Sequence, residues 1–304
     1  MELLAGASVR SGRQGSGSTV SRVDECGWLT HRGFYSSTVP AAPRLSKLIV
    51  SAPFGNYVQP EGFTPTVGTF TFARRRGRVR QILRTVRWYP GIGAWVNKIG
   101  LRNPGLSWYL GKADAGRARP ADALISIHGF NAEEWSSLVE RAAAVCPLGM
   151  ELNMSCPNVG SIDWPEGLFA EAVQAAAAAG AKHPPLVVVK LPPVNWELMA
   201  ERAVEQGVRV FHCCNTLPVP RGGVSGKPLM PVALAVVRAM RRRYGDDVTL
   251  IGGGGITTPA DLRAYEEAGA DHFAVGTKVM SPRYLISHRG LRHLRAAAGV
   301  NGST

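Results

Sequence analysis

Gly149-Met150-Glu151-Leu152-Asn153-Met154-Ser155-Cys156-Pro157-Asn158-Val159 is the stretch from which the rest of the chain is read. An apolar run leads into a cluster of amide, hydroxyl and thiol groups and is stopped by Pro157, the pattern of a strand that delivers polar side chains into a loop. In α/β enzymes the loops at the C-terminal ends of barrel strands hold the chemistry. A lone cysteine is commonly just a small buried hydrophobe. Two amides within three residues of Cys156 favour function, because such polarity is costly to bury unless something uses it.

Working outward, short apolar runs alternate with helical segments. Strands are expected at 48–51, 65–71, 123–127, 150–154, 186–189, 208–213, 248–251 and 272–275. The run Leu186-Val187-Val188-Val189 is β-branched without alternation, as in a parallel strand buried on both faces. Helix starts are marked at Asn131 with Glu134 three residues on, and at Thr258 with Pro259 and Asp261. The Ala-rich residues 166–179 form a helix on propensity alone. Eight strand-helix alternations predict an α/β chain with a (β/α)8 barrel over 46–304; a doubly wound open sheet is the alternative. About fifty residues between the second and third strands are too many for an ordinary connection, so they are expected as an insertion on the catalytic face. Residues 1–45 are rich in Ser, Gly and Arg without periodicity and read as a disordered extension.

The chain has 304 residues with 45% hydrophobic content, enough for one barrel domain. It has no apolar run of about 18 residues, the length that would suggest a spanning helix. Five cysteines (Cys26, Cys146, Cys156, Cys213, Cys214) show no paired spacing and suit a reducing cytoplasm. The net charge of +13 gathers in Arg74-Arg75-Arg76, Arg78, Arg80, Arg84 and Arg87, and again in Arg241-Arg242-Arg243. Neither stretch interleaves aromatics for base stacking, so no nucleic-acid partner is expected. The arginines read either as a solvated surface or as a field that steers an anionic ligand.

Two further features carry chemistry. The run Gly252-Gly253-Gly254-Gly255-Ile256 follows the seventh strand and leads to the helix at Thr258, and Gly276-Thr277 follows the eighth. Together they make the phosphate site common beyond strands seven and eight of barrels. Lys190 ends the buried fifth strand, where a lysine needs an anion: a ligand, or Glu151 across the barrel.

The segment Asn153 to Val159 closely resembles the active-site segment of the dihydroorotate dehydrogenases, FMN enzymes of pyrimidine synthesis, and a cysteine at Cys156 resembles their soluble class 1 form. Matching motifs follow in family order: Asn97-Lys98-Ile99-Gly100-Leu101, Ser126-Ile127-His128-Gly129, Val189-Lys190-Leu191-Pro192-Pro193, Asn215-Thr216, Gly222-Gly223-Val224-Ser225-Gly226, Gly253-Gly254-Gly255-Ile256 and Gly276-Thr277. The resemblance implies oxidation of dihydroorotate to orotate, with Cys156 as general base for the C5 proton and hydride transfer from C6 to flavin N5. It implies FMN contacts from Ala52, Ser126, Asn153, Lys190, Cys214, Gly226, Gly254, Gly255, Gly276 and Thr277. Asn97, Ile99, Gly100, Leu101, Asn158, Asn215 and Thr216 are expected around the pyrimidine, whose imide edges suit amides that both donate and accept. No metal is expected. By the same resemblance the chain forms a homodimer or pairs with an electron-transfer subunit, its electron acceptor left open.

One departure stands out. Family members bring a lysine from the first strands toward flavin and substrate, whereas Ser51-Ala52-Pro53-Phe54-Gly55 and Val67-Gly68-Thr69-Phe70-Thr71 contain none. Lys98 or an arginine among Arg74, Arg75 and Arg76 is the candidate replacement. The alternatives are a divergent flavin ene-oxidoreductase acting on another cyclic enamide, enone or modified pyrimidine, and a catalytically silent flavin-binding barrel.

Overall fold

The computed structural model describes residues 45–154 and 164–300. Cys156 and Asn158, and the extension expected at the N-terminus up to residue 44, lie outside the described residues. Eight parallel strands close a barrel: β1 (Leu48–Val50), β2 (Phe63–Phe70), β3 (Leu124–Ile127), β4 (Gly149–Asn153), β5 (Leu186–Lys190), β6 (Val210–Cys213), β7 (Thr249–Gly253) and β8 (His272–Val275). Each neighbours the next in chain order and β8 pairs with β1, so the open-sheet alternative is excluded.

The two faces of the strands differ: the outward face is apolar, and the inward face is apolar only along part of its length. On β3, Ile125 and Ile127 point outward to the helices; on β4, Met150 and Leu152 do so, and on β5, Val187 and Val189. Their alternate neighbours point inward, and Ile49, Leu124, Val188, Val210 and Ile251 fill the lower barrel with a separate apolar cluster. The next inward position along each strand, two residues on, is Ser126 on β3, Lys190 on β5, His212 on β6 and Gly253 on β7, with Glu151 and Asn153 on β4. The interior therefore turns from hydrocarbon to polar within one pleat repeat, toward the C-terminal ends of the strands.

The helices start as their caps dictate. Asn131 accepts from the Glu134 N–H (2.8 Å) ahead of helix Ala132–Ala143. Thr258 and Asp261 form a reciprocal capping box for helix Pro259–Glu267. The Ala-rich helix runs Leu168–Ala178.

The long insertion after β2 contains helix Arg78–Thr85 and a ribbon, Arg87–Tyr89 with Ala94–Asn97. The ribbon joins two strands that follow β6, Leu217–Val219 and Gly222–Gly226, in a four-stranded antiparallel sheet that the sequence reading did not anticipate. Glycine is required there by contact: a Cβ on Gly222 would fall 2.0 Å from the Asn97 carbonyl oxygen, and one on Gly226 2.2 Å from that of Gly93. The insertion ends in helix Leu106–Asp114, which returns to the barrel wall.

Candidate active site

A cavity of about 1060 Å³ opens at the C-terminal ends of the strands, between the barrel mouth and the insertion. Its floor is the polar layer. Glu151, fully buried, accepts from Ser126 Oγ on Oε1 (2.8 Å) and pairs through Oε2 with His212 Nδ1 (2.7 Å). Lys190 Nζ lies 3.8 Å from Glu151 Oε1. Strand register makes this possible, since Glu151 sits opposite Ser126 and Lys190 sits opposite both Asn153 and His212. The internal ion pair weighed for Lys190 is thus present, and Lys190 also lines the cavity.

Charge in this cluster is ordered by its neighbours. Burial alone would raise the Glu151 pKa, but Lys190 and the hydrogen bonds from His212 and Ser126 outweigh it and hold the carboxyl near 2. Burial and the Lys190 charge lower the His212 pKa despite the hydrogen bond to Glu151, so the imidazole is neutral near pH 7. A neutral ring beside a carboxylate carries its proton on Nδ1 and donates it, leaving Nε2 as the acceptor. Burial likewise pushes the Cys214 thiol up, to about 12, and Cys214 stays protonated.

A second chain of hydrogen bonds fixes the amides. Thr69 Oγ1 contacts Ser126 Oγ (2.9 Å) and receives Asn153 Nδ2 (2.9 Å), while Asn153 Oδ1 receives Asn215 Nδ2 (2.9 Å). His128 Nδ1 meets the Asn153 carbonyl oxygen at 2.8 Å. Burial lowers the His128 pKa against that hydrogen bond, so this ring too is neutral, and it donates.

Of the expected flavin contacts, Ala52, Asn153, Lys190, Cys214, Gly254, Gly255, Gly276 and Thr277 all line the cavity. So do the expected substrate contacts Asn97, Ile99, Gly100, Leu101, Asn215 and Thr216. Ser126 does not: it is fully buried beneath the floor, where it supports Glu151 and Thr69. Gly226 is also outside the lining, and its carbonyl sits behind Gly255, where a Cβ would come within 2.7 Å of it.

The glycine run is open because it must be. Gly254 and Gly255 have φ of 127° and 76°, values that exclude ordinary side chains. The helix N-terminus contributes less than the sequence suggested. Asp261 Oδ2 accepts from the N–H groups of Thr257 (2.8 Å) and Thr258 (2.9 Å), and Asp261 also binds Lys227. Those bonds outweigh burial and bring the Asp261 pKa to about 2. The helix is already capped by its own carboxylate, so an anion at this end depends on the loop amides and Thr277.

The candidates for the missing lysine differ in where they lie. Lys98 is exposed and outside the lining, whereas Arg74, Arg75 and Arg76 line the cavity. Arg75 is held by the Gly100 carbonyl (3.3 Å) and by the Phe130 ring, 4.7 Å from its guanidinium carbon. Thr69 and His212 were not singled out from the sequence. A histidine inside the otherwise apolar strand β6 was the available signal for one; Thr69 offered none, since its partners lie 57 and 84 residues away.

A sequence model of the family described as Dihydroorotate dehydrogenase matches residues 60–296. The catalytic subunit of dihydroorotate dehydrogenase B (NAD(+)) from Pelobacter propionicus is 32% identical over 206 residues, covering 61% of this chain and 66% of that protein. The subunit of the same name from Petrotoga mobilis is 31% identical over 221 residues, covering 66% of this chain and 72% of that protein. The fold is shared with a crystal structure of DHODH from Eimeria tenella in complex with ferulenol, at TM-score 0.65 and 20% identity over 84% of this chain and 82% of that one. With the family model spanning most of the barrel, this chain belongs to the dihydroorotate dehydrogenase family.

Proposed function

We propose that the chain oxidises dihydroorotate to orotate with FMN as its cofactor. The observation that carries this reading is the gathering, in one cavity, of a buried lysine, the amides of Asn97, Asn153 and Asn215, and a side-chain-free glycine cradle. FMN fits these residues. The cavity has room for a tricyclic ring, its tail and a small second ring. Gly254, Gly255, Gly276 and Thr277 would hold the phosphate, with Lys190 and Asn153 at the ring. When bound, FMN supplies the acceptor for the hydride that leaves substrate C6.

The remaining work belongs to the chain. Lys190, 3.8 Å from Glu151, would lie beside the ring, where a basic side chain stabilises negative charge. Asn97, Asn215 and Thr216 orient the substrate's imide edge, with Asn215 pre-set by its bond to Asn153. Arg75, or its neighbours Arg74 and Arg76, takes the carboxylate. Cys156 removes the C5 proton as thiolate; a free thiol with pKa about 8.5 is only slightly ionised at pH 7, so turnover rises with pH through that range. The relatives' name as catalytic subunits supports pairing with a second protein that carries electrons away, a homodimer being the other assembly. A cytoplasmic location accords with this reading. Among the described residues no helix is long and apolar enough to cross a membrane.

Replacement of the family lysine by arginines favours a second reading, oxidation or reduction of another cyclic enamide or enone. Anaerobic mixing of the flavin-loaded protein with dihydroorotate, followed at the oxidised-flavin band near ~450 nm, separates the two. Bleaching is expected. No bleaching with dihydroorotate, but bleaching with another ring substrate, would favour the second reading; a band insensitive to every reductant would mean a binding protein. Cys156→Ser is expected to keep FMN and lose about 10²- to 10⁴-fold in turnover. Unchanged turnover would remove Cys156 from its role.

A further inference from the structure

Past β8 the chain makes two short helical turns, Thr277–Met280 and Pro282–Leu285, and then enters helix Arg292–Ala297. This region contains a second cavity, of about 310 Å³, lined by Lys278, Arg283, Tyr284, Ser287, Gly290 and His293. None of these residues lines the first cavity. From residue 272 to residue 304 the sequence has no aspartate or glutamate and five lysines and arginines. Among the described residues the lining therefore carries positive charge and no carboxylate, and gathered cations repel one another unless an anion joins them.

The donors are held in place and keep hydrogens to give. Lys278 Nζ donates to the Thr257 carbonyl oxygen (2.7 Å), which uses one of its three hydrogens. Burial and the neighbouring Arg283 charge lower the Lys278 pKa, and the carboxylate that opposes them, Asp261, is already engaged by Lys227, Thr257 and Thr258. Arg283 donates to Tyr284 Oη (2.9 Å), with its guanidinium carbon 4.8 Å from the centre of the ring. Tyr284 is fully buried, and its own hydroxyl hydrogen has no acceptor among the described residues. Gly290 keeps that hydroxyl uncovered, since a Cβ there would fall 2.7 Å from Tyr284 Oη. A buried hydroxyl with an unused hydrogen is costly, and an acceptor entering the cavity would remove the cost.

We propose that this cavity is a second anion site, separate from the glycine cradle, and that it takes a phosphate group, free or carried by a small phosphomonoester. Lys278 and Arg283 supply the charge, and Tyr284, Ser287 and His293 supply further donors. A phosphate has enough oxygens, pointing in enough directions, to accept from donors spread over several side chains, whereas a carboxylate has two oxygens in one plane. The site goes beyond the proposed reaction and does not depend on it.

Calorimetric titration of the full chain with inorganic phosphate, at an ionic strength held constant with chloride, tests the assignment with and without saturating FMN. Saturable uptake with a Kd of about 1 mM or tighter is expected, and it should persist when FMN is present. The double variant K278Q/R283Q is expected to weaken uptake roughly tenfold or more, and Tyr284→Phe, which keeps the buried ring, to weaken it several-fold. Absence of saturable uptake would overturn the proposal. So would uptake that FMN abolishes, since that phosphate sits in the glycine cradle, and so would undiminished uptake in Tyr284→Phe and K278Q/R283Q. Titration with ribose 5-phosphate separates the two sources: affinity at least tenfold higher than for inorganic phosphate assigns the site to a phosphomonoester, and equal or lower affinity assigns it to free phosphate. Failure of FMN itself to bind would undo the proposed reaction and leave this site to be decided by the variants.

Discussion

Glu151 is a carboxylate with no solvent exposure, and Leu83 is a leucine with 73% of its surface exposed. Each is a residue in the environment that costs it most, and the two regions meet that cost differently. The polar layer in the barrel mouth satisfies itself internally: Ser126, His212 and Lys190 surround Glu151, and Thr69 links that group to Asn153 and Asn215. The insertion buries no residue of its helix: Val79, Ile82 and Val86 line the cavity, and Leu83 faces solvent. A closed network holds a site in one geometry, whereas an exposed apolar face adds little to the stability of the segment that carries it. The strongest tests of this contrast remove the centre of the network.

Glu151→Ala takes away the acceptor shared by Ser126 and His212 and the carboxylate 3.8 Å from the buried Lys190. Breaking a buried pair from one side costs about 3–5 kcal/mol, and denaturant unfolding should register a loss of that order. The same variant frees Lys190 to shift, so FMN binding should weaken with it. A loss below about 1 kcal/mol, the range of an exposed ion pair, would show that the layer is not the tightly coupled unit its geometry suggests.

Acid should act on the network in the same direction, over a window set by two groups. His212 is held below its ordinary value of 6.5, so under pH 6.5 the unfolded chain binds a proton that the folded chain resists. Glu151 is held near 2 against an ordinary 4.5, so its contribution is complete above pH 4.5 and disappears as pH falls toward 2. Both terms make stability fall on acidification. Unfolding free energy measured from pH 7 downward should decline first below 6.5 and more steeply below 4.5. In Glu151→Gln the steeper part should be reduced, and a profile identical to that of the unmodified chain would remove Glu151 as its source.

The same contrast explains what the sequence disclosed. The barrel strands were legible because most are short, largely apolar runs such as Leu186-Val187-Val188-Val189, a local property. Lys190 and Asn153 were legible because a polar residue ending such a run has few reasons to be there. The four-stranded outer sheet was not, since Gly222 to Gly226 looks like a loop motif until the Asn97 and Gly93 carbonyls are seen pressing on it. Nor was the role of Ser126: its position beneath the cavity floor depends on partners from β2 and β4 that no window along the chain contains. The capped helix at Thr258 shows the opposite failure. Its signals were read correctly as a helix start, but Asp261, part of that signal, occupies the donors that were expected to serve an anion.

The smallest expected effect belongs to the exposed apolar face. Leu83→Ser with Ile92→Ser removes two large hydrophobes that the fold leaves 73% and 60% exposed. Little surface returns to water on unfolding at either position, so the change in stability should stay within about 0.5 kcal/mol. Unfolding of the purified chain in denaturant is the right measurement, because it excludes any external partner. A loss of 2 kcal/mol or more, of the order of a buried leucine, would mean that the chain itself covers this face in solution. The face would then be a packing surface like any other, and the contrast with the barrel mouth would vanish.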